Sequence, residues 1–140
     1  MKYINEQTRN ILLVSFISIG FTFILSTFNF VIFQNRFPSL QNIWNHWDTK
    51  WYIQIAENGY QISDEARLSI TYFPLYPWLI RFVSILNKNY LLGALTISNI
   101  CFILSLLVFH KLVKIDFSNN IAWRTVTYFS IFPTAYFLHA

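Results

Sequence analysis

Arg9 and Arg36 bracket a stretch without a single charged residue, and residues 11–33 inside it are dominated by Ile, Leu, Phe and Val. A hydrocarbon core ~30 Å thick is crossed by a helix of roughly 20 apolar residues, because the helix satisfies its own backbone polar groups where no water can. The stretch predicts a first membrane span at about 11–33. A cleaved secretory signal would instead carry an apolar core of about 7 to 15 residues and end at small side chains. This run is longer and leaves through Asn29, Phe30, Phe33 and Gln34.

A second uncharged run lies between Lys88 and Lys111 and predicts a second span at about 90–110, with Asn99 and Cys101 as its unusual members. Residues 126–140, after Arg124, are apolar again, but at ~1.5 Å per residue they fall short of the bilayer thickness. They read as the start of a third span, at about 125–140. The expected whole is therefore the N-terminal portion of one larger membrane domain, a fragment or a truncated reading frame.

Composition points the same way. Of 140 residues, 55% are hydrophobic and 11% charged, against roughly 25% charged in a soluble domain. That leaves too few charges to coat a soluble globule. With three glycines, four prolines and no internal repeat, the chain is not a low-complexity linker. Its one cysteine, Cys101, excludes an intrachain disulfide and a cysteine metal cluster. The net charge of +4 does not mark a nucleic-acid binder, because the Lys and Arg residues are dispersed between apolar runs and form no patch.

Those basic residues set an orientation. Lys2 and Arg9 precede the first span, and Lys111, Lys114 and Arg124 crowd the segment at about 111–124. Arg36, Lys50, Arg67, Arg81 and Lys88 are instead spread along the loop at about 34–88 and mixed with Asp48, Glu57, Asp64 and Glu65. A multi-pass protein follows, with its N-terminus and second loop cytoplasmic and its first loop outside. Arg81 and Lys88, close to the second span, pull against that assignment.

The outer loop is far longer than the roughly 4–6 residues of a simple connection, and long loops are functional or disordered. Trp44, Trp47, Trp51, Tyr52, Tyr60, Tyr72, Phe73, Tyr76 and Trp78 argue for order, since disordered segments are poor in aromatics. Trp and Tyr also favour the headgroup level, which places the loop along the outer membrane surface, in contact with lipid.

Residues 44–58, laid out at about 100° per residue, put Trp44, Trp47, Trp51, Tyr52, Ile55 and Ala56 on one arc and Lys50, Gln54 and Glu57 opposite. This is the pattern of an interfacial amphipathic helix. Asp48 falls inside the aromatic arc. Two readings fit it: a helix N-cap, or a carboxylate held against aromatic rings to take a proton from a substrate hydroxyl. They are compatible.

His46 reads as a surface histidine, and no spacing of His, Cys or carboxylates defines a metal site. Gly59 marks a helix stop, and adjacent Asp64 and Glu65 mark a solvated turn. Pro74 and Pro77 fix an extended or turn path after Tyr72 and Phe73, with an apolar helix expected from Pro77 over 78–86. Arg81 on that helix either meets a phosphate or snorkels to the headgroups.

Trp47-Asp48, Trp51-Tyr52, Ile55-Ala56, Gly59-Tyr60 and Phe73-Pro74-Leu75-Tyr76-Pro77, in this order, resemble the first outer loop of the PIG-V-type mannosyltransferase family. Its eukaryotic members add the second mannose of the glycosylphosphatidylinositol anchor. The second span, the basic second loop and Phe132-Pro133-Thr134-Ala135-Tyr136-Phe137-Leu138 also resemble that family's next segment, so the likeness covers most of the chain after residue 40. It departs from the family pattern at Thr49 and Lys50, where a small residue is frequent, and at Tyr72, where phenylalanine is frequent.

The resemblance implies a GT-C type of fold in a bacterial plasma membrane or the endoplasmic reticulum. It also implies inverting transfer of mannose from a polyprenyl phosphate carrier to a lipid or glycan acceptor, without a nucleotide sugar; no cofactor is identified. Asp48 matches the family's acidic residue and is the implied general base. His46, Trp47, Trp51, Tyr52, Tyr76 and Arg81 are the candidate substrate contacts, with Arg81 at the departing phosphate. The competing expectation is a truncated or accessory membrane protein without activity. A transporter or channel would carry polar or charged residues inside its spans, and these spans hold none apart from isolated Asn, Ser and Thr.

Overall fold

A computed structural model describes residues 6–33, 41–45, 48–61 and 71–132. Their secondary structure is helical: α1 (Glu6–Ile32), α2 (Gln41–Trp44), α3 (Thr49–Asn58), α4 (Leu75–Asn87), α5 (Tyr90–Asp116) and α6 (Asn119–Ile131). The all-α expectation holds among the described residues. Helices α1 and α5 are long and apolar enough to cross a membrane, and 28% of the apolar stretch of each is buried. The core helix of a soluble protein would be mostly buried.

Helix α1 is built inside out. Ser15, Ser18, Thr22 and Ser26 recur at helical spacing and are buried, whereas Phe16, Ile17, Phe21, Ile24 and Phe28 are exposed. Small side chains on the inner face let helices approach closely, and large apolar ones on the outer face suit lipid. The buried hydroxyls cost nothing unpaired: Ser15 donates to the Ile11 carbonyl at 2.8 Å and Thr22 to the Ser18 carbonyl at 3.0 Å.

Two compact units divide the chain, Met1–Leu25 with Ser98–Ala140, and Ser26–Ile97. In the first, Ile11 of α1, Phe102 and Leu106 of α5 and Val126 of α6 form a core bordered by Ile19, Leu107, Phe109 and Trp123. Ser18 ties α1 to α6 by donating to the Ser130 carbonyl at 2.6 Å. That carbonyl belongs to the last turn of α6, where helix acceptors lack intrahelical donors. Ser18→Ala should therefore lower stability by about 1 kcal/mol, read as detergent-resistant unfolding. An unchanged midpoint would assign the carbonyl to another donor.

Charge marks where the apolar run ends and not where the helix stops. Helix α5 continues through Lys111 and Lys114 to Asp116, and α6 begins at Asn119, so residues 111–124 are helical except at Phe117 and Ser118. Lys114 lies in the last turn of α5, where a cation complements the helix dipole. Helix α6 ends at Ile131, and Phe132 turns extended (φ −66°, ψ 138°) ahead of Pro133, the conformation that a following proline favours. Residues 133–140 of the expected third span lie outside the described residues.

In the second unit, Ala56 of α3, Ile80 of α4 and Ala94 of α5 make a buried cluster edged by Tyr52, Tyr76 and Tyr90. Helix α4 starts at Leu75, two residues before Pro77, where the sequence placed its start. A proline in the first turn forfeits only an N–H that would have no helical partner, so the turn closes around it through Trp78 N–H to the Pro74 carbonyl at 3.0 Å. Lys88 closes α4 in the left-handed region (φ 53°). Asn89 then caps α5, its Oδ1 accepting from Leu92 N–H at 3.0 Å.

Candidate active site at the Asp48 and Tyr72 pair

The amphipathic pattern at 44–58 resolves into two helices, with α2 ending at Trp44 and α3 starting at Thr49. Asp48 is thus at the helix entry and not within a continuous arc. Its carbonyl accepts from Trp51 N–H (3.0 Å) and Tyr52 N–H (3.2 Å). Asn45 and Asp48 carry short polar side chains that compete with helical backbone bonding, which favours a break there. Within α3 the expected sidedness holds: Ile55 and Ala56 are buried, while Lys50, Gln54 and Glu57 are exposed. Gly59 ends the helix with positive φ (75°) and N–H bonded to the Ile55 carbonyl at 2.8 Å.

Asp48 occupies the N-cap position, yet its carboxylate makes no cap hydrogen bond. Instead Tyr72 donates its phenol proton to Asp48 Oδ1 at 2.8 Å. Tyr72 is itself held twice more. Its carbonyl accepts from Tyr60 Oη at 2.6 Å, and its ring meets Tyr52 edge to face with centroids 4.9 Å apart. Since Asp48 precedes α3 and Tyr60 follows it, Tyr72 is bonded to residues from both ends of the helix.

The candidate contacts separate. Tyr52 and Tyr76 meet edge to face at 4.9 Å, and Tyr76 donates to the Ala94 carbonyl of α5 at 3.2 Å, so its hydroxyl joins α4 to α5. Trp51 is half-buried with Lys50 Nζ 5.2 Å from its ring centroid, a cation–π distance. Arg81 is exposed on α4, and among the described residues no ion pair joins it to Asp48. His46 and Trp47 lie outside the described residues.

Tyr72 is the member that periodicity missed. A partner 24 residues away leaves no local pattern. The one available signal was a hydroxyl where the resembling family commonly carries phenylalanine.

The hydrogen bond to Asp48 raises the Tyr72 phenol above its ordinary value, with desolvation and the nearby negative charge adding to it. A raised folded value means that this group's contribution to stability is whole below the ordinary phenol range and is lost as pH rises through the raised one. In alkaline absorbance titrations, one phenol should ionise late in the wild-type protein and at its ordinary place in Asp48→Ala. Identical curves would mean that the pair does not form.

Compared with known proteins, the chain matches no family model, no curated protein and no solved structure.

Proposed function

We propose that the chain belongs to an integral, multi-pass membrane glycosyltransferase of the GT-C type, with Asp48 as the general base. The observation that carries this reading is an exposed carboxylate fixed by a phenol at the edge of an aromatic cluster, in a segment that lies in the sequence between two helices long and apolar enough to cross a membrane. Its order of residues resembles the PIG-V-type mannosyltransferases, which supplies the reaction class.

In that reaction the acceptor hydroxyl gives its proton to Asp48 as its oxygen bonds to the anomeric carbon. The bond from that carbon to the carrier phosphate breaks, and the phosphate leaves with the electron pair. Attack opposite the leaving group inverts the centre. An accessible base suits this step, since it must come within hydrogen-bond reach of the acceptor. Arg81, exposed and outside any ion pair among the described residues, is the proposed cation for the departing phosphate. Trp51, with His46 and Trp47 outside the described residues, flanks the base in sequence, and all three are proposed to contact the sugar or acceptor.

The proposed donor is a polyprenyl phosphate mannose, and the proposed acceptor is a lipid or glycan on the extracytoplasmic side. Helix α4 supports a site at headgroup depth. Leu75, Trp78, Phe82, Ile85 and Leu86 form an exposed apolar face on a helix too short to span, with Phe73 exposed just before it. Membranes containing the protein, offered labelled mannose on either polyprenyl phosphate or a nucleoside diphosphate, should use the first and ignore the second. Use of the nucleotide sugar alone would overturn the donor class.

A further inference from the structure

We propose that Tyr72 is a positioning residue for Asp48, fixing which carboxylate oxygen faces the acceptor hydroxyl. This rests on the transferase reading, because only there does Asp48 receive a proton. Asp48 is exposed and makes no cap bond, so nothing on its own helix holds its side-chain torsions. The restraint comes from Tyr72 Oη at 2.8 Å on Oδ1. Among the described residues Oδ2 has no donor and is the oxygen left to accept the proton.

Tyr72 can impose an orientation because it is itself held. Tyr60 Oη fixes its backbone carbonyl at 2.6 Å, and the Tyr52 ring fixes its plane, edge to face at 4.9 Å. The Tyr60 clasp depends in turn on Gly59, whose positive φ turns the chain out of α3 just before it. A side chain fixed at its backbone, ring and hydroxyl is a rigid reference for a short, two-torsion carboxylate. During transfer the acceptor proton moves to Oδ2, and Tyr72 keeps its own proton on Oη. Its phenol stays protonated through neutral pH, so it serves as a lasting donor to Oδ1 and not as a second acid.

Tyr72→Phe removes the hydroxyl and preserves the ring and the carbonyl that Tyr60 holds. The expected result is a kcat about tenfold lower, the scale of one oriented hydrogen bond to a charged group, with KM for donor and acceptor unchanged. Thermal stability should fall only slightly, by the small contribution of one exposed hydrogen bond, whereas a merely structural tyrosine would lower stability without lowering kcat in the folded protein. Tyr60→Phe, which loosens the clasp without touching Asp48, should lower kcat in the same sense by less. Full kcat in Tyr72→Phe overturns the positioning role, as does a raised KM at unchanged kcat, which would make Tyr72 a substrate contact. If the wild-type protein transfers sugar and Asp48→Asn does not, such a result sinks this inference alone. If the wild-type protein transfers none, the parent reading fails and this one falls with it.

Discussion

Asp48→Asn should reduce sugar transfer by at least about a hundredfold while the protein still reaches the membrane in wild-type amounts. The substitution separates shape from chemistry. An asparagine at the entry to α3 keeps the size of the side chain, and its carbonyl oxygen can still accept the bond that Tyr72 donates to Oδ1. What the amide cannot do is take a proton from an acceptor hydroxyl. Loss of activity with preserved insertion and stability therefore isolates the base. Retained transfer would remove Asp48 from the chemistry, and loss of the protein from the membrane would make it a folding residue. An accessory subunit without activity of its own would show no transfer to lose.

Gly93→Leu should have the largest effect on stability. Helices α4 and α5 join at the Lys88–Asn89 corner, and Gly93 of α5 packs closely against Ser84 and Ile80 of α4. A Cβ added there would collide with Ser84 Oγ and stand 3.0 Å from the Ile80 carbonyl oxygen. The serine can rotate away only by giving up its 3.3 Å bond to the Asn89 carbonyl, and the Ile80 carbonyl, being backbone, cannot yield without moving α4. Gly93→Ala should cost about 1–3 kcal/mol, and the longer leucine more.

Combining Gly93→Ala with Ser84→Ala should recover part of that loss, since one of the two clashes is gone; a double-mutant cycle in detergent unfolding reads the coupling. Additive losses would show that the backbone contact alone sets the limit. Activity should fall with stability in these variants, because Tyr76 bridges α4 to Ala94 within the same contact and abuts Tyr52, the neighbour of Tyr72.

The long helices were legible because charge is absent over the whole of 10–35 and 89–110, apart from a neutral histidine, and nothing but a helix answers such a run in lipid. The stop at Gly59 and the two faces of α3 were legible for a similar reason: glycine geometry and 3.6-residue periodicity are local. Where the reading erred, it extended a local rule through a break. Carrying the period from Trp44 across Asn45 placed Asp48 inside an aromatic arc, whereas α3 starts after it. Treating Pro77 as a barrier overlooked that a first helical turn has no N–H partner to lose.

The candidate site was only half visible. Asp48 stood out as an acid among aromatics, but its partner Tyr72 and the Tyr60 clasp are brought in by chain folding over residues that carry no periodic signal. The exposed face of α4 shows the same limit. Apolar positions could be counted in the sequence, but only the fold separates Tyr76, Ile80 and Ser84, turned toward α3 and α5, from Trp78, Phe82 and Ile85, turned outward.

The most direct test follows labelled mannose from polyprenyl phosphate in membranes containing the protein. The anomeric configuration of the product is then read by nuclear magnetic resonance. A glycosylated product with the configuration opposite to that of the donor is expected, as a single displacement assisted by one base requires. Absence of product, or a product with retained configuration, would contradict Asp48 as the base of an inverting transferase.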